Sequence, residues 1–183
     1  SGKSVACSVQ VEELQAEYWK PIQCGDLDNS DTKMVVSLVS CKKSVFHQES
    51  YRFKGYKSPH AAAAEEHVLI DLNHLYVPEI ENTLIIEPPG GLMVPLNSND
   101  LVIDLIPLFG AEVVLVSQNY LGSINHTLLT AEILASRGHN VLGIIFNGEP
   151  NKESEEVILA ITALPKLGRM KMEHVVDNEM VKK

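Results

Sequence analysis

The sequence begins Ser1-Gly2-Lys3-Ser4, the residue types that end a phosphate-binding loop. The following residues, 5–16, have apolar side chains at helical spacing. At a helix N-terminus, backbone N–H groups attract an anion, a lysine can reach the β- and γ-phosphates of a nucleotide, and a hydroxyl can bind Mg²⁺. The complete motif has a further glycine five residues before Gly2 and a strand before that. On their own, these four residues fit a phosphate site and an ordinary chain terminus equally well.

Glu87 is a carboxylate at the end of a short β-like run, residues 83–86, and is followed by Pro88-Pro89-Gly90-Gly91. In an open α/β sheet, ligands bind beyond the carboxyl ends of the strands. An acid at this place can hold Mg²⁺ opposite the hydroxyl of a phosphate-binding loop. A solvated loop carboxylate is an equally weighted interpretation.

Lys20 lies in the apolar stretch from Tyr18 to Gly25 and is followed by a proline. This setting favours a strand from which the lysine projects into a cleft as a fixed cation for an anionic substrate. The alternative is a lysine at a sheet edge whose stem packs on apolar surface while its charge stays in water. Cys24 is either a substrate contact or a packed thiol. Asp31 is a candidate N-cap for a helix over residues 32–41.

These side chains need a scaffold, and the hydrophobic pattern predicts one of alternating strands and helices. Unbroken apolar runs bounded by polar residues are typical of strands buried on both faces, as in a parallel sheet. We therefore expect one α/β domain over residues 1–183, with a doubly wound, mostly parallel sheet and helices on both faces. The predicted strands are residues 83–86, 112–117 and 141–146, and the predicted helices are residues 59–64, 68–77, 100–109, 123–137 and 153–163.

Composition excludes several classes of function. Fifteen basic residues against 24 acidic ones give a formal charge of −9, which argues against a nucleic-acid surface and a polybasic membrane anchor. The apolar runs are too short to span a bilayer, and from the opening residues we expect no secretory leader. Three widely spaced cysteines indicate free thiols in a reducing compartment. We expect a cytoplasmic protein that acts on small molecules.

Taken together and in order, these stretches resemble the dethiobiotin synthetase family. The resemblance covers nearly the whole chain, and its more specific parts are Lys-Pro-Ile-Gln-x-Gly and Leu-Gly-x-Ile-Asn-His. The matching stretches are Gly2-Lys3-Ser4, Tyr18 to Gly25, Asn29-Ser30-Asp31, Ser58-Pro59-His60, Ile86-Glu87, Gly90-Gly91-Leu92, Val94-Pro95-Leu96, Leu121 to Thr130, and Asn147.

The resemblance implies a P-loop NTPase-like fold and an ATP-dependent ligase of biotin biosynthesis that requires Mg²⁺. The family uses 7,8-diaminononanoate, CO₂ and ATP. The diamine forms a carbamate, the γ-phosphoryl group passes to the carbamate, and the second amine attacks the resulting mixed anhydride. The ureido ring closes and phosphate leaves.

The resemblance also assigns roles to individual residues. Lys20 would stabilise the carbamate and the charge that develops on transfer, and Lys3 would hold the phosphates. Ser4, Asp31 and Glu87 would surround Mg²⁺. The nucleotide contacts implied are Gly2, Lys3, Ser4, Asp31, Glu87, Pro88, Pro89, Gly90, Asn147, Gly148, Met170, Lys171 and Met172, with Asn147 at the adenine edge. The substrate contacts implied are Lys20, Cys24, Ser58, Gly122, Ser123, Ile124 and Asn125, the last four reaching the partner subunit's site in a homodimer.

The sequence departs from the family pattern at four places. The strand and most of the loop that precede Gly2 in the family are absent from it. Pro88-Pro89 stands where the family has Gly-Ala, Cys24 replaces a serine or threonine, and Met170-Lys171 replaces Ile-Pro. Because prolines lack backbone N–H donors and fix φ, we expect impaired nucleotide binding and turnover.

Two other functions fit parts of the pattern. One is a different P-loop protein, such as a partitioning ATPase or a cobyrinic-acid-type amide ligase. The other is a non-catalytic α/β homodimer derived from the family, which the two prolines favour. A nucleotide titration in the presence of Mg²⁺ discriminates between these alternatives.

Overall fold

The computed structural model describes residues 2–171 and 177–182, so Met172 of the predicted nucleotide contacts lies outside the described residues. The described chain forms two compact units. The first consists of residues 2–6 and 106–171, and the second of residues 7–105 and 177–182. The single domain predicted over residues 1–183 stays a prediction.

The second unit contains two small parallel sheets. In one, β1 lies between β3 and β5, and in the other β2 pairs with β4. The strands are β1 (Glu17–Trp19), β2 (Ile22–Cys24), β3 (Phe46–His47), β4 (Tyr51–Phe53) and β5 (Leu84–Ile86). The helices are most of α1 (Lys3–Leu14), α2 (Asp31–Leu38), α3 (Pro59–Glu65) and α7 (Asn178–Val181). The predicted strand at residues 83–86 and the helix after Ser58 are thus confirmed.

β1 is the buried centre of this unit. All three of its residues are buried, and Tyr18 packs in a core with Cys7 and Val11 of α1 and Val35 of α2. Glu17 is buried as well, and its carboxylate accepts hydrogen bonds from the backbone N–H groups of Glu81 and Asn82. The hydrogen bond from Glu81 is the main reason that the pKa of Glu17 lies below its usual range. The chain leading into β5 is thereby fastened to β1.

The helix predicted over residues 68–77 is wrong. The structure has only a 3₁₀ turn, Leu72–His74, within this range. His67 adopts a left-handed conformation with φ of 56°, which ends the preceding helix, and the Asp71 side chain accepts a hydrogen bond from the Asn73 N–H. Such local side-chain bonds compete with helical ones.

The helix predicted over residues 100–109 is correct only at its end. Leu101 forms an antiparallel bridge with Pro95, Val102–Asp104 is a 3₁₀ turn, and only α4 (Leu105–Phe109) is α-helical. The Asp104 carboxylate accepts the Leu101 N–H at 2.7 Å, which holds the turn before the helix. Apolar spacing alone did not reveal this tight connection.

The first unit contains a three-stranded parallel sheet in the order β6-β7-β8. Its strands are β6 (Val113–Gln118), β7 (Val141–Asn147) and β8 (Lys166–Met170), and its main helices are α5 (Ser123–Ser136) and α6 (Lys152–Thr162). The two predicted strands and two predicted helices of this region are confirmed. β8 was missed because its residues, Lys-Leu-Gly-Arg-Met, form no apolar run.

Every strand pair within the named sheets is parallel, and helices are interspersed with strands along the chain. The predicted P-loop NTPase-like α/β class is confirmed. Over the described residues, no helix combines the length and apolar character needed to span a bilayer.

Gly143, in the middle of β7, leads to a testable prediction about stability. Its φ is 153°, and an added Cβ would lie 2.5 Å from the Pro165 carbonyl oxygen. Because that atom is backbone, Gly143→Ala should lower the free energy of unfolding by about 1–3 kcal/mol. Urea unfolding measures the change. Gly168→Ala on β8, where an added Cβ meets nothing within 4 Å, is the matched control and should be nearly neutral. Equal effects of the two variants would contradict the prediction.

Candidate functional site

Lys20 follows β1 directly and is held between two carboxylates. Its side chain is 5% exposed, and its Nζ lies 2.7 Å from Asp31 Oδ2 and 3.7 Å from Glu87 Oε1. The interpretation of a lysine with its charge in water is therefore wrong. The lysine is also just beyond the strand that we expected to contain it, because β1 ends at Trp19. A buried ammonium in this setting is a fixed cation.

Asp31 owes its position to the start of α2. The helix is capped by Ser30, whose side chain accepts the Lys33 N–H, so Asp31 is the first helical residue and not the cap that we expected. The Asp31 N–H donates to Gln23 Oε1 at 3.3 Å, and the buried Gln23 amide in turn donates to the Gly25 carbonyl. The end of β2 thus fixes the carboxylate that faces Lys20.

Glu87 is a buried residue, 2% exposed, so a solvated loop acid is excluded. Its backbone N–H donates to the Trp19 carbonyl, which continues the pairing of β5 with β1. The Tyr18 hydroxyl donates a hydrogen bond to Glu87 Oε2 at 2.9 Å. Burial, followed by the nearby charge of Glu87, raises the pKa of Tyr18, so the phenol stays a donor.

Tyr18 was not among the predicted site residues. A signal for it was present, because residues two apart on the strand predicted around Lys20 would point to the same side. Tyr18 and Lys20 have this spacing, so a tyrosine directed at the same place as the lysine was predictable.

Asp31 and Glu87 have the chemistry of Mg²⁺ ligands. Mg²⁺ prefers hard oxygen donors and is usually bound by one or two carboxylates together with phosphates and waters. Two carboxylates converge here on one cation, which fits such an ion. The described residues include no cluster of three or more His, Cys, Asp and Glu side chains placed to hold a metal. The magnesium set with Ser4 stays a prediction.

The second unit also contains predicted site residues at Cys24, Ser58, Pro89 and Gly90. Cys24 ends β2 and is half-buried, and burial raises the pKa of its thiol although the charge of Lys20 opposes this. Ser58 precedes α3 without making a side-chain cap bond. Pro89 is buried, and the following Gly90 has φ of 59°. The roles predicted for these residues stay predictions.

In the first unit, the structure brings together two predicted nucleotide contacts, Gly2 and Asn147. The helix α1 begins at Lys3, followed by Ser4, and the Ala6 N–H donates to the Gly2 carbonyl. Gly2 has φ of 78°, and a Cβ there would collide with the Asn147 side-chain amide. The start of the predicted phosphate site therefore touches the residue predicted to read the base.

Asn147 and Gly148 meet the end of β8 as well. β7 and β8 pair through Asn147 and Met170, and the Gly148 N–H donates to the Met170 carbonyl at 2.8 Å. Lys171 follows Met170 and is exposed. Residues of two separate predicted segments thus lie together at the carboxyl ends of two parallel strands.

Glu155 is a buried acid that sequence reasoning missed. It lies in the first turns of α6, next to the acidic residues Glu153 and Glu156. Burial raises the pKa of its carboxyl, but hydrogen bonds from Arg169, the Asn151 N–H, Asn119 and Lys166 outweigh this and lower it to about 2. No pattern in the sequence pointed to this residue.

Gly122 to Asn125 form the start of α5. Gly122 has φ of 100°, Ser123 is buried, Ile124 is half-buried and Asn125 is exposed. Leu121, just before them, is fully exposed. The predicted role of these residues in a partner subunit's site stays a prediction.

Comparisons with known proteins agree with this arrangement. Residues 1–180 match a family model described as an AAA domain. A relative named ATP-dependent dethiobiotin synthetase BioD from Cytophaga hutchinsonii is 47% identical over 182 residues, which cover 99% of this chain and 88% of the relative. Relatives of the same name from Christiangramia forsetii and Chlamydia felis are 45% and 40% identical, covering 99% of this chain and 87% and 85% of their own lengths. The chain belongs to the ATP-dependent dethiobiotin synthetase family.

Proposed function

We propose that this protein is an ATP-dependent dethiobiotin synthetase, which carboxylates 7,8-diaminononanoate with CO₂ and closes the ureido ring through a carbamic-phosphoric anhydride. The observation that carries the proposal is the buried Lys20 ammonium held between Asp31 and Glu87. The family membership of the chain supports the same reaction.

Lys20 would act on the carbamate. A carbamate carries a negative charge that resembles a carboxylate, and a buried lysine side chain is a suitable partner for it. Catalysis of phosphoryl transfer depends mainly on the positioning of the reactants and on stabilisation of the developing charge. Since Lys20 is already fixed by two carboxylates, little reorganisation is needed when the charge develops.

Asp31 and Glu87, together with Ser4, would hold Mg²⁺. The ion would neutralise phosphate charge and orient the γ-phosphoryl group. Tyr18 keeps one oxygen of Glu87 hydrogen-bonded, so the carboxylate has a fixed direction before any ligand arrives.

The nucleotide would lie against the residues that the first unit presents. Lys3 and the N–H groups at the start of α1 would hold the phosphates. Asn147 would read the adenine edge, with Gly148, Met170 and Lys171 beside it. The contact of Gly2 with Asn147 and the hydrogen bond from Gly148 to Met170 support this placement.

For the diamine, we propose contacts with Lys20, Cys24 and Ser58, and with the α5 start of a partner subunit. The exposed Leu121 and Asn125 at that start are available to a second copy of the chain. The cytoplasm is the compartment that we propose for the protein.

The direct test of the function is ring formation. The purified protein, incubated with 7,8-diaminononanoate, bicarbonate, ATP and Mg²⁺, should form dethiobiotin and one ADP per product, measured by mass spectrometry and a coupled ADP assay. ATP consumption without dethiobiotin would contradict the proposed function.

A catalytically impaired member of the family is the second candidate. Pro88-Pro89 favours it, because the two prolines remove two backbone N–H donors next to Glu87. Titration with Mg²⁺-ATP separates the candidates, since the impaired protein would bind nucleotide only weakly.

Lys20→Met should abolish most of the synthetase activity. Removal of the ammonium takes away the cation for the carbamate, and we expect kcat to fall by roughly two to three orders of magnitude. The change also leaves Asp31 and Glu87 together without their cation, so the melting temperature should fall in the absence of Mg²⁺. Lys42→Met, at an exposed position, is the matched control and should match the wild type in both measurements. Full activity of the Lys20 variant would refute the catalytic role.

Replacing Pro88 by Gly and Pro89 by Ala should strengthen nucleotide binding. The change restores two backbone N–H donors, each net hydrogen bond being worth about 0.5–1.5 kcal/mol. Isothermal titration calorimetry should therefore show a lower Kd for Mg²⁺-ATP. An unchanged or higher Kd would mean that the prolines do not weaken Mg²⁺-ATP binding, which would contradict the prediction.

A homodimer should be visible in solution. Light scattering should give about twice the 20.2 kDa mass of one chain, and Asn125→Arg at the start of α5 should shift the protein toward one copy. The variant should lose activity in parallel with dimer, because the substrate site would need the partner. A fully active species of one-chain mass would contradict this proposal.

A further inference from the structure

Glu155 stands at the centre of a polar network that the proposed reaction does not use. Its Oε1 accepts hydrogen bonds from Asn119 Nδ2 and the Asn151 N–H, both at 3.0 Å, and from the Arg169 guanidinium. Its Oε2 accepts one from Lys166 Nζ at 3.2 Å. The side chain is 7% exposed, so the carboxylate is almost fully enclosed by donors.

The same partners hold the loop that follows β7, residues 148–151. Arg169 donates from its second nitrogen to the Gly148 carbonyl at 2.8 Å. Asn119 donates to the Glu149 carbonyl at 2.9 Å, and the Asn151 N–H bonds to Glu155 directly. Three backbone groups of one loop therefore connect to a single carboxylate, either directly or through one side chain.

The network also joins the ends of the three strands of the sheet. Asn119 follows β6, Gly148 follows β7 and Arg169 is the penultimate residue of β8. Glu155 is the group common to all three. Removing a buried carboxylate of this kind would leave Arg169 short of its partner, which makes the arrangement costly to disturb.

We infer that Glu155 is a positioning residue that fixes Asn147 and the end of β8, and thereby makes the nucleotide site prefer adenine. The inference rests on the proposed function for the location of the base. An asparagine amide has one donor side and one acceptor side, and a fixed amide matches only one order of partners on a base. Along the N1–C6 edge, adenine and hypoxanthine present opposite orders, because an oxo group replaces the amino group and N1 becomes protonated.

The loop anchors hold the backbone from which the Asn147 side chain projects. Gly148, next to Asn147, is held on its N–H by Met170 and on its carbonyl by Arg169. On its other side, the Asn147 amide abuts Gly2. A displacement of about 1 Å at such a contact can cost as much as 10²-fold in function. Loosening the network should therefore reduce discrimination between bases more than it reduces phosphate binding.

The test compares Mg²⁺-ATP with Mg²⁺-ITP by isothermal titration calorimetry. The wild type should bind ATP more tightly than ITP. Glu155→Gln keeps the shape but removes the charge, and it should raise the Kd for ATP about tenfold, equivalent to about 1.4 kcal/mol, while the Kd for ITP changes little. Arg169→Lys keeps the charge but cannot bridge Glu155 and Gly148, so it should act in the same direction.

Glu156→Gln, at an exposed position on the same helix, is the matched control and should keep the wild-type preference. Equal weakening of ATP and ITP, or no change in either, would overturn the inference. Should Glu155→Gln melt below the titration temperature, Arg169→Lys decides the question. ATP binding without dethiobiotin formation would contradict the proposed function alone and leave this comparison valid. A wild type that binds neither nucleotide would contradict both.

Discussion

The pairing of the Lys20 ammonium with the Asp31 and Glu87 carboxylates is the interaction on which the second unit's site depends. A buried ion is costly unless its partners are well placed, and here two elements supply them, the start of α2 and the residue after β5, while the ion itself follows β1. Tyr18 and Gln23 each hold one of the acidic residues in place, the first through its carboxylate and the second through its backbone N–H. The ion pairs therefore hold together segments that follow short strands and that make up the site.

The first unit also contains a buried ionised side chain, Glu155, which is costly unless its partners are well placed. Its acid, Glu155, supports a loop through three hydrogen-bonded neighbours and does not face a reacting group. Because the pKa of Glu155 is about 2, the carboxylate stays ionised at every pH at which the protein is expected to work. The predicted base-binding residues thus rest on a support that does not change with ordinary changes of pH.

Sequence reasoning predicted the long, regular elements and the residues around Lys20, and physical causes explain the rest. β6, β7, α5 and α6 were predictable because each has a long apolar pattern. Residues 68–77 had an equally apolar pattern, but a left-handed His67 and the Asp71 side chain prevent a helix there. β8 was hidden by its lysine and arginine, and those two side chains are the cations that compensate Glu155. The lysine and arginine that hid β8 in the sequence are thus explained by one buried carboxylate.

Among the site residues, Tyr18 could have been predicted from its spacing to Lys20, whereas nothing in the sequence connects Glu155 with Arg169.

The contact between Gly2 and Asn147 has a consequence for how variation is tolerated. Any side chain at position 2 must displace the Asn147 amide, and it must also adopt a φ that L residues rarely reach. Two segments separated by most of the chain are therefore not free to vary independently. A side chain at position 2 would first require Asn147 to shift or to be replaced, so divergence at position 2 should follow a change at position 147 over evolutionary time.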